Sequence, residues 1–345
     1  MYQWDFATEI MQRLFIGLER SGADVDEIVR RVGLDPAALG GERTILRLPE
    51  NDSDQLLKVC AEVTGDPNIG LSLGQAMPAF GGLALEYLFL SSENFGAAMQ
   101  RFTRYCRLLS SSFSSQLLPP ANGRVRLEFG YNLPGSVSLR HSTELTAVCL
   151  VRFFRHVTFG EFQLASVGFV HTDACGAQQR EAFFGVPAVL GQASNYIEFE
   201  QSVCAVRCMH AEPKVQALHE SLMEKQLRTL KKRDLVIRVE AIIADLLESG
   251  EVNLEGVAAR VGISPARLRQ DLADVGAGFS QLVSGYRISL AKELLLDSAL
   301  GIEEIVYRTG FSEPSPFYRA FKRSTGMTPV AFRERYARAA ESQGG

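Results

Sequence analysis

The last third of the chain carries one pattern twice, and a repeat of this length restricts the fold to two copies of one supersecondary unit. VAARVGISPARLRQDLADVGAGFSQLV aligns with IVYRTGFSEPSPFYRAFKRSTGMTPVAF. Gly262 answers Gly310, Ser264 approximately answers Ser312, and Gly276 answers Gly326. Leu268 and Leu272 answer Phe317 and Phe321 after a shift of one residue. The glycines Gly262 and Gly310 set the copies 48 residues apart.

Each copy predicts a helix, a tight turn and a capped second helix. In the first, Leu254, Val257, Ala258 and Val261 form the apolar face of the opening helix, and Gly262 supplies a positive φ for the turn. Ser264 then caps the second helix, Pro265 opens it, and Leu268 and Leu272 anchor it. The second copy repeats this with Ile302, Ile305, Val306, Gly310, Phe317 and Phe321. Pro314 and Pro316 begin a helix there because first-turn N–H groups have no intrahelical partner, with Ser312 or Glu313 as the cap. The segment FSQLVSGYRISLAKELLLDSAL between the copies predicts one long helix, buried through Leu290, Leu294 and Leu295.

The outer faces carry Ala266, Arg267, Arg269 and Gln270 in one copy, and Ser315, Arg319, Lys322 and Arg323 in the other. A basic helix fits the major groove, where Arg reads guanine edges and Gln reads adenine, while helix N-termini and cations hold phosphate. Two such helices fixed by one rod enter successive grooves about 34 Å apart. The net charge of −4 conceals the asymmetry that fits this: from Val257 onward twelve Lys or Arg face nine Asp or Glu, against 24 and 31 before it.

At 345 residues and 46% hydrophobic, the chain predicts two or three domains with real cores. Its start carries Asp5 and Glu9 where a signal peptide needs basic residues, and no apolar run reaches the roughly 18 residues of a membrane span. A cytoplasmic location without a membrane partner is expected. Cys60, Cys106, Cys149, Cys175, Cys204 and Cys208 lack the density of a disulfide framework. Cys204 and Cys208 in CAVRC find no second ligand pair, and His171–Cys175 in HTDAC reads as a strand end, so no metal and no cofactor are expected. Nucleophile elbow, P-loop and zincin motifs are absent, which argues against an enzyme.

Helical patterns fill residues 1 to about 75, including Val25, Ile28, Val29 and Val32 before a Gly33 stop and a new start at Asp35–Pro36. This pair reads as packing within a helical layer. A helix striped by Phe95, Met99, Phe102 and Cys106 follows. Then the period changes to two: Val125, Leu127 and Phe129 alternate with charges after a PPANG turn, a β-hairpin. A long helix from Val137, a strand at LASVGFVH, a short helix at QQREAFFG and a strand at NYIEF complete an α+β domain ending near Cys208. Glu212–Asp234, with Val215, Leu218, Leu222 and Leu227 at near-helical spacing, connects the halves as a connector or dimer seam.

From Val252 to about Tyr336 the sequence resembles the DNA-binding domain of AraC/XylS-family transcription regulators, carried by GFSEPSPFYRAFKRSTGMTPVAFR, YRISLAKELLLDS and IEEIVYRTG. Residues 20 to 210 are similar to the arabinose-binding-like effector domain of a subgroup, through TGDPNIGLSLG and FFGVPAVLGQASNYIEF, and unlike the β-rich barrel of the arabinose regulator itself. The resemblance implies an α+β effector domain (1–210), a helical linker (211–234) and an all-α domain with two helix-turn-helix units joined by a long helix (235–345). It implies base contacts at Ala266, Arg267, Arg269, Gln270, Ser315, Pro316, Arg319 and Lys322, with Arg323 beside them. Asp271 and Asp274 stand where the family often has basic residues, and Val306 replaces the usual Ala.

The expected function is therefore sequence-specific transcription regulation under a small apolar or amphipathic effector. The alternative is a thiol-based redox or alkylation responder using the same DNA-binding half. Expected partners are promoter DNA and the effector, with a second copy of the chain and RNA polymerase as further candidates. On the helix from Val137, Arg152 or Arg155 with His141 are the candidate effector ligands, and the Phe- and Leu-rich stretches LEYLFL and LVRFFRHVTFG suit an apolar ligand.

Overall fold

The computed structural model describes residues 3–4, 8–33, 48–49, 52–78, 84–110, 112–131, 139–208, 210–249, 252–297 and 300–341. The helix start expected at Asp35–Pro36 lies outside them. The chain divides into two units, Met1–Leu227 and Arg228–Gly345.

The first unit is α+β. A two-stranded pair, β1 (Gln3–Trp4) with β2 (Leu48–Pro49), accompanies helices α1 (Thr8–Arg20), α2 (Val25–Val32), α3 (Asp52–Thr64) and α4 (Ile69–Ala76). The stripe read from the sequence forms α2: Asp24 caps it through Glu27 N, Gly33 closes it at φ 71°, and Ile28 and Val29 are buried. Next come α5 (Ala84–Leu90), α6 (Phe95–Tyr105), β3 (Phe113–Leu117), β4 (Arg124–Tyr131) and α7 (Arg140–Val157). β5 (Leu164–Gly168), α8 (Ala177–Phe184), β6 (Ala188–Val189) and β7 (Asn195–Glu200) complete the sheet region.

The sheet order is β3-β4-β7-β5-β6, antiparallel except for the β5–β6 pair. The predicted hairpin is β3–β4, in which Val125, Leu127 and Phe129 turn into the core and their neighbours stay wetter. Phe95 on α6 meets Phe154 on α7 edge-on at 5.3 Å and Phe199 on β7 at 5.6 Å, the geometry that aromatic quadrupoles favour. Most phenylalanines of LEYLFL and LVRFFRHVTFG are thus core: Phe89, Phe153 and Phe154 are buried, whereas Phe159 is exposed.

Two further features hold α7 in place. Gly70 and Gly74 let α4 cross it closely, since a Cβ at Gly70 would lie 2.3 Å from the His141 carbonyl and one at Gly74 would lie 2.7 Å from Val148 Cβ. The second is a buried ion cluster. Arg180 on α8 donates to Glu144 Oε1 at 2.6 Å, with both side chains almost fully excluded from water. Arg140 adds Nε at 3.4 Å to the same oxygen and ties Asp173 and the Cys175 carbonyl through its other nitrogens. His171, read as part of a strand end, places Nε2 3.4 Å from Glu144 Oε1.

The helix expected over 211–234 runs unbroken as α9 (Pro213–Ser249), and the division between units falls inside it. Met223 and Leu227 are buried, whereas Val215, Leu218 and Leu222 of the expected stripe are exposed.

The second unit is all-helical: the end of α9, then α10 (Leu254–Val261), α11 (Pro265–Ala273), α12 (Phe279–Asp297), α13 (Ile302–Arg308), α14 (Pro314–Thr325) and α15 (Pro329–Glu341). Its apolar residues form two cores. One joins Val239 and Ile243 of α9 to Val257, Ala258, Leu268 and Leu272; the other joins Ile305, Val306, Phe317, Phe321 and Phe332. The rod α12 serves both, with Phe279, Leu282, Val283 and Tyr286 in the first core and Ile288, Ala291 and Leu295 in the second. This corrects the expected face of Leu290, Leu294 and Leu295: only Leu295 of the three is fully buried. The i, i+3, i+7 row from Ile288 faces the partner helices, and Ala291 is the small residue that lets them approach.

Candidate DNA-reading surface and effector cavity

The two copies in the second unit are each a helix-turn-helix. Ser264 caps α11 by accepting from Arg267 N at 3.2 Å, and Pro265 takes the first position. Gly262 closes α10 at φ 85° and Gly310 follows α13 at φ 74°, a backbone region that a Cβ disfavours. In the second copy Glu313, rather than Ser312, occupies the cap position of α14, and its side chain makes no capping bond.

Leu268, Leu272, Phe317 and Phe321 are at most 1% exposed, so each second helix is seated from below. Ala266, Arg267, Arg269 and Gln270 on α11 and Ser315, Pro316, Arg319, Lys322 and Arg323 on α14 are all exposed. The two faces differ electrostatically. On α11, Arg267 Nε donates to Asp271 Oδ2 at 2.7 Å, and Gln270 Nε2 donates to Asp274 Oδ1 at 2.8 Å. Lys232 on α9 also pairs with Asp274, and this hydrogen bond, with that of Gln270, holds the Asp274 carboxyl below its ordinary range. The two acidic departures are therefore partnered, and both fix polar side chains of the outer face.

The first unit contains a cavity of about 100 Å³ among α1, α3, α7 and the starts and ends of the hairpin strands. Met11, Leu14, Leu57, Leu109, Phe113, Leu145 and Leu150 give it an apolar wall. Arg13, Ser110, Tyr131, Ser142 and Thr146 supply the polar atoms, and Tyr131 Oη lies 2.7 Å from Thr146 Oγ1. Cys149 also lines it, and burial pushes that thiol up to about 12 despite the nearby charges of Arg152 and Arg13.

The candidate effector ligands read from the sequence lie elsewhere. Arg152 Nη1 donates to the carbonyls of Gly74 and Met77, both at 2.7 Å, at the C-terminal end of α4. Arg155 donates to the carbonyls of Phe183 and Phe184 at the end of α8, at 3.3 and 3.1 Å. Both guanidinium groups thus satisfy helix-end carbonyls, where the helix dipole also favours a cation. His141, whose main chain packs on Gly70, is not among the cavity-lining residues either.

Residues 22–208 match the model described as the arabinose-binding domain of AraC transcription regulator, N-terminal, and residues 257–335 match a helix-turn-helix domain model. The chain belongs to the AraC family of transcription regulators. It is 28% identical over 290 residues to the ornithine utilization regulator of Pseudomonas aeruginosa, covering 84% of this chain and 85% of that one. It is 23% identical over 335 residues to the transcriptional regulator VirS of Mycobacterium tuberculosis, covering 96% and 94%. Among solved structures, the regulator CdpR from Pseudomonas aeruginosa aligns over 97% of this chain and 99% of that one at 20% identity, with a TM-score of 0.46. As an AraC-family member the chain is a DNA-binding transcription regulator with an N-terminal ligand-binding domain, not an enzyme.

Within this AraC-family chain, the residues expected on the outer faces of α11 and α14 are exposed, whereas Arg13, Tyr131 and Thr146 of the cavity wall were not among the candidates read from the sequence. Leu145 and Cys149, four and eight residues beyond the candidate His141 on α7, line the cavity. No described helix is long and apolar enough to cross a membrane.

Proposed function

We propose that this regulator reads base edges with α11 and α14 and responds to a small apolar or amphipathic effector held in the first unit. The observation that carries the DNA reading is the pairing of two capped helices whose anchors are buried and whose outer faces offer Arg267, Arg269, Gln270, Arg319, Lys322 and Arg323 to solvent. Residues 1–210 then act as the effector domain, 211–234 as the linker and 235–345 as the DNA-binding domain. The exposed stripe of Val215, Leu218 and Leu222 supports a second copy of the chain as a partner, and a cytoplasmic location fits a protein that meets promoter DNA.

Arg319→Ala is expected to relax base preference at one position and to cost about 1–3 kcal/mol of specific affinity, while Lys322→Ala weakens all sequences alike. Binding to a selected duplex and to random duplex, measured at several salt concentrations, separates the two. Equal losses for both variants on both duplexes would remove the base-reading role of Arg319. Asp271→Asn is expected to leave stability within about 1 kcal/mol, since its partner Arg267 is mostly exposed. With one anion fewer beside Arg267, affinity for random duplex should rise and its salt dependence steepen; unchanged affinity and slope would place α11 away from phosphate.

The thiol-responder reading is weak for five of the six cysteines and rests on the exposed Cys175. Burial pushes Cys60 and Cys149 up to about 12 and Cys208 up to about 11, and it raises Cys106 and Cys204. Such thiols stay protonated near neutral pH and are poor nucleophiles.

A further inference from the structure

We infer that Asp271 and Asp274 are positioning residues for base recognition: they hold Arg267 to a guanine edge and Gln270 to an adenine edge on neighbouring base pairs, and leave Arg269 to phosphate. This rests on the reading of α11 as a base-contacting helix and divides the work among its outer side chains.

The two helices offered to DNA are built differently. The segment Pro314–Thr325 of α14 contains no Asp or Glu, and among the described residues Arg319, Lys322 and Arg323 have no acidic partner. On α11 an acidic side chain follows each of two polar ones by one helical turn, Asp271 after Arg267 and Asp274 after Gln270. An anion on a surface that meets phosphate opposes binding, so a compensating role is needed to explain it there. Stability does not supply that role, because the Arg267 side chain is 66% exposed and an exposed pair at this spacing contributes little. Asp271 itself is buried with the anchors Leu268 and Leu272. The anion is therefore the fixed partner, and the cation is the group being placed.

The donors and acceptors left on each side chain then select its base. Asp271 Oδ2 accepts the Nε–H of Arg267 at 2.7 Å. Among the described residues no hydrogen bond engages Nη1 or Nη2 of Arg267, the end-on pair of donors that matches O6 and N7 of guanine. Asp274 is held from two sides: Lys232 on α9 pairs with Oδ2, and Gln270 Nε2 donates to Oδ1 at 2.8 Å. Both bonds favour the carboxylate, whose oxygens only accept, so the Gln270 amide turns its NH2 toward Asp274. Its second N–H and its carbonyl oxygen stay available, the donor and acceptor that adenine N7 and N6 require. Arg267 and Gln270 lie three residues apart, about 4.5 Å along the helix, close to the step of about 3.4 Å between base pairs. Arg269 is exposed and has no acidic partner among the described residues, so its guanidinium is free to follow the backbone.

The test uses the full chain and a duplex selected from a randomised pool, with every single-base variant of that duplex measured in competition. Arg267→Ala and Gln270→Ala are each expected to flatten the preference at one base pair, a guanine and a neighbouring adenine, by roughly tenfold. Asp271→Ala is expected to flatten the same guanine preference by a comparable factor and to leave the ratios at other positions unchanged. Asp274→Ala should do the same for the adenine. The double variant Arg267→Ala with Asp271→Ala should discriminate as Arg267→Ala does alone; a further loss would mean that Asp271 acts independently of Arg267 and would overturn the positioning role. Arg269→Gln should weaken every duplex alike and lower the salt slope by about 1; a loss confined to one base pair would overturn its phosphate role. A variant that folds poorly lowers binding to all duplexes by one factor, so these ratios report positioning rather than stability. A guanine preference that is lost in Arg267→Ala but intact in Asp271→Ala overturns the inference and keeps α11 as a base reader. A preference that depends on Arg267 but is for another base overturns the guanine assignment. If neither Arg267→Ala nor Gln270→Ala changes the preference at any base pair, the base-reading role of α11 fails and the inference fails with it.

Discussion

Phe317→Ala is expected to destabilise the second unit by about 3–5 kcal/mol, the range for emptying a buried aromatic site. Phe317 is fully buried, with the rings of Phe311 at 5.5 Å and Phe321 at 5.7 Å. These contacts seat α14 on the core shared with α12 and α13, and no exposed residue of the helix can replace them. Since domains retain only about 5–15 kcal/mol in total, the loss removes a large part of the stability of this unit. Urea unfolding of the full chain, followed by circular dichroism, should show the transition of this unit moved to lower denaturant. Specific DNA binding should fall with it. Arg319→Ala, two residues on and on the exposed face of the same helix, should leave unfolding within about 0.5 kcal/mol while still losing base preference. If Phe317→Ala unfolded at the original midpoint, the seating role would be wrong.

Glu144→Ala should destabilise the first unit comparably, by about 3–5 kcal/mol, because it leaves the buried Arg180 without its counter-charge. The reverse comparison separates ion pairing from packing. A double replacement, Glu144→Leu with Arg180→Met, is expected to recover most of the loss, since an apolar pair of similar volume avoids the desolvation that both charges incur. Failure of the double variant to recover would mean that the hydrogen bonds to Asp173 and Cys175 main chain matter more than the charge pair.

The same cluster sets an acid limit. Burial alone would raise the Glu144 carboxyl, but His171, Arg140 and Arg180 together hold it below its ordinary value of 4.5. A depressed folded-state value means that the contribution is complete above the unfolded-state value and is lost as pH falls through the folded-state one. Stability of the first unit should therefore be insensitive to this group near neutrality and decline below about pH 4.5. In Glu144→Ala that part of the acid sensitivity should be missing.

Local pattern carried furthest where each element's face is set by its own sequence. The period-two alternation of Val125, Leu127 and Phe129 made the hairpin legible, and the Phe95–Cys106 stripe made α6 legible. In the second unit, glycines, caps and anchors repeat in register, so both helix-turn-helix units and their outer residues could be assigned before any coordinate. The rod was legible as a helix but not in its phase. Leucines crowd its C-terminal half, and only the partners on either side select Ile288, Ala291 and Leu295 for full burial, with Leu294 partly buried beside them. Gly70 and Gly74 sit within α4, where they admit α7, a close approach that no local pattern announces.

The cavity was not legible, because it joins Arg13 on α1 to Thr146 on α7 and Tyr131 on β4, more than a hundred residues away. Sequence spacing favoured Arg152 and Arg155, which share α7 with His141, but cannot reveal which helix ends stand opposite them. By itself the sequence determined that residues 254–325 hold two copies of a helix-turn-helix unit, since turn, cap and anchor chemistry act over a few residues. Only the tertiary structure decided which arginines complete helix ends and which faces a cavity, since those roles depend on elements brought together by burial of apolar surface across the whole unit.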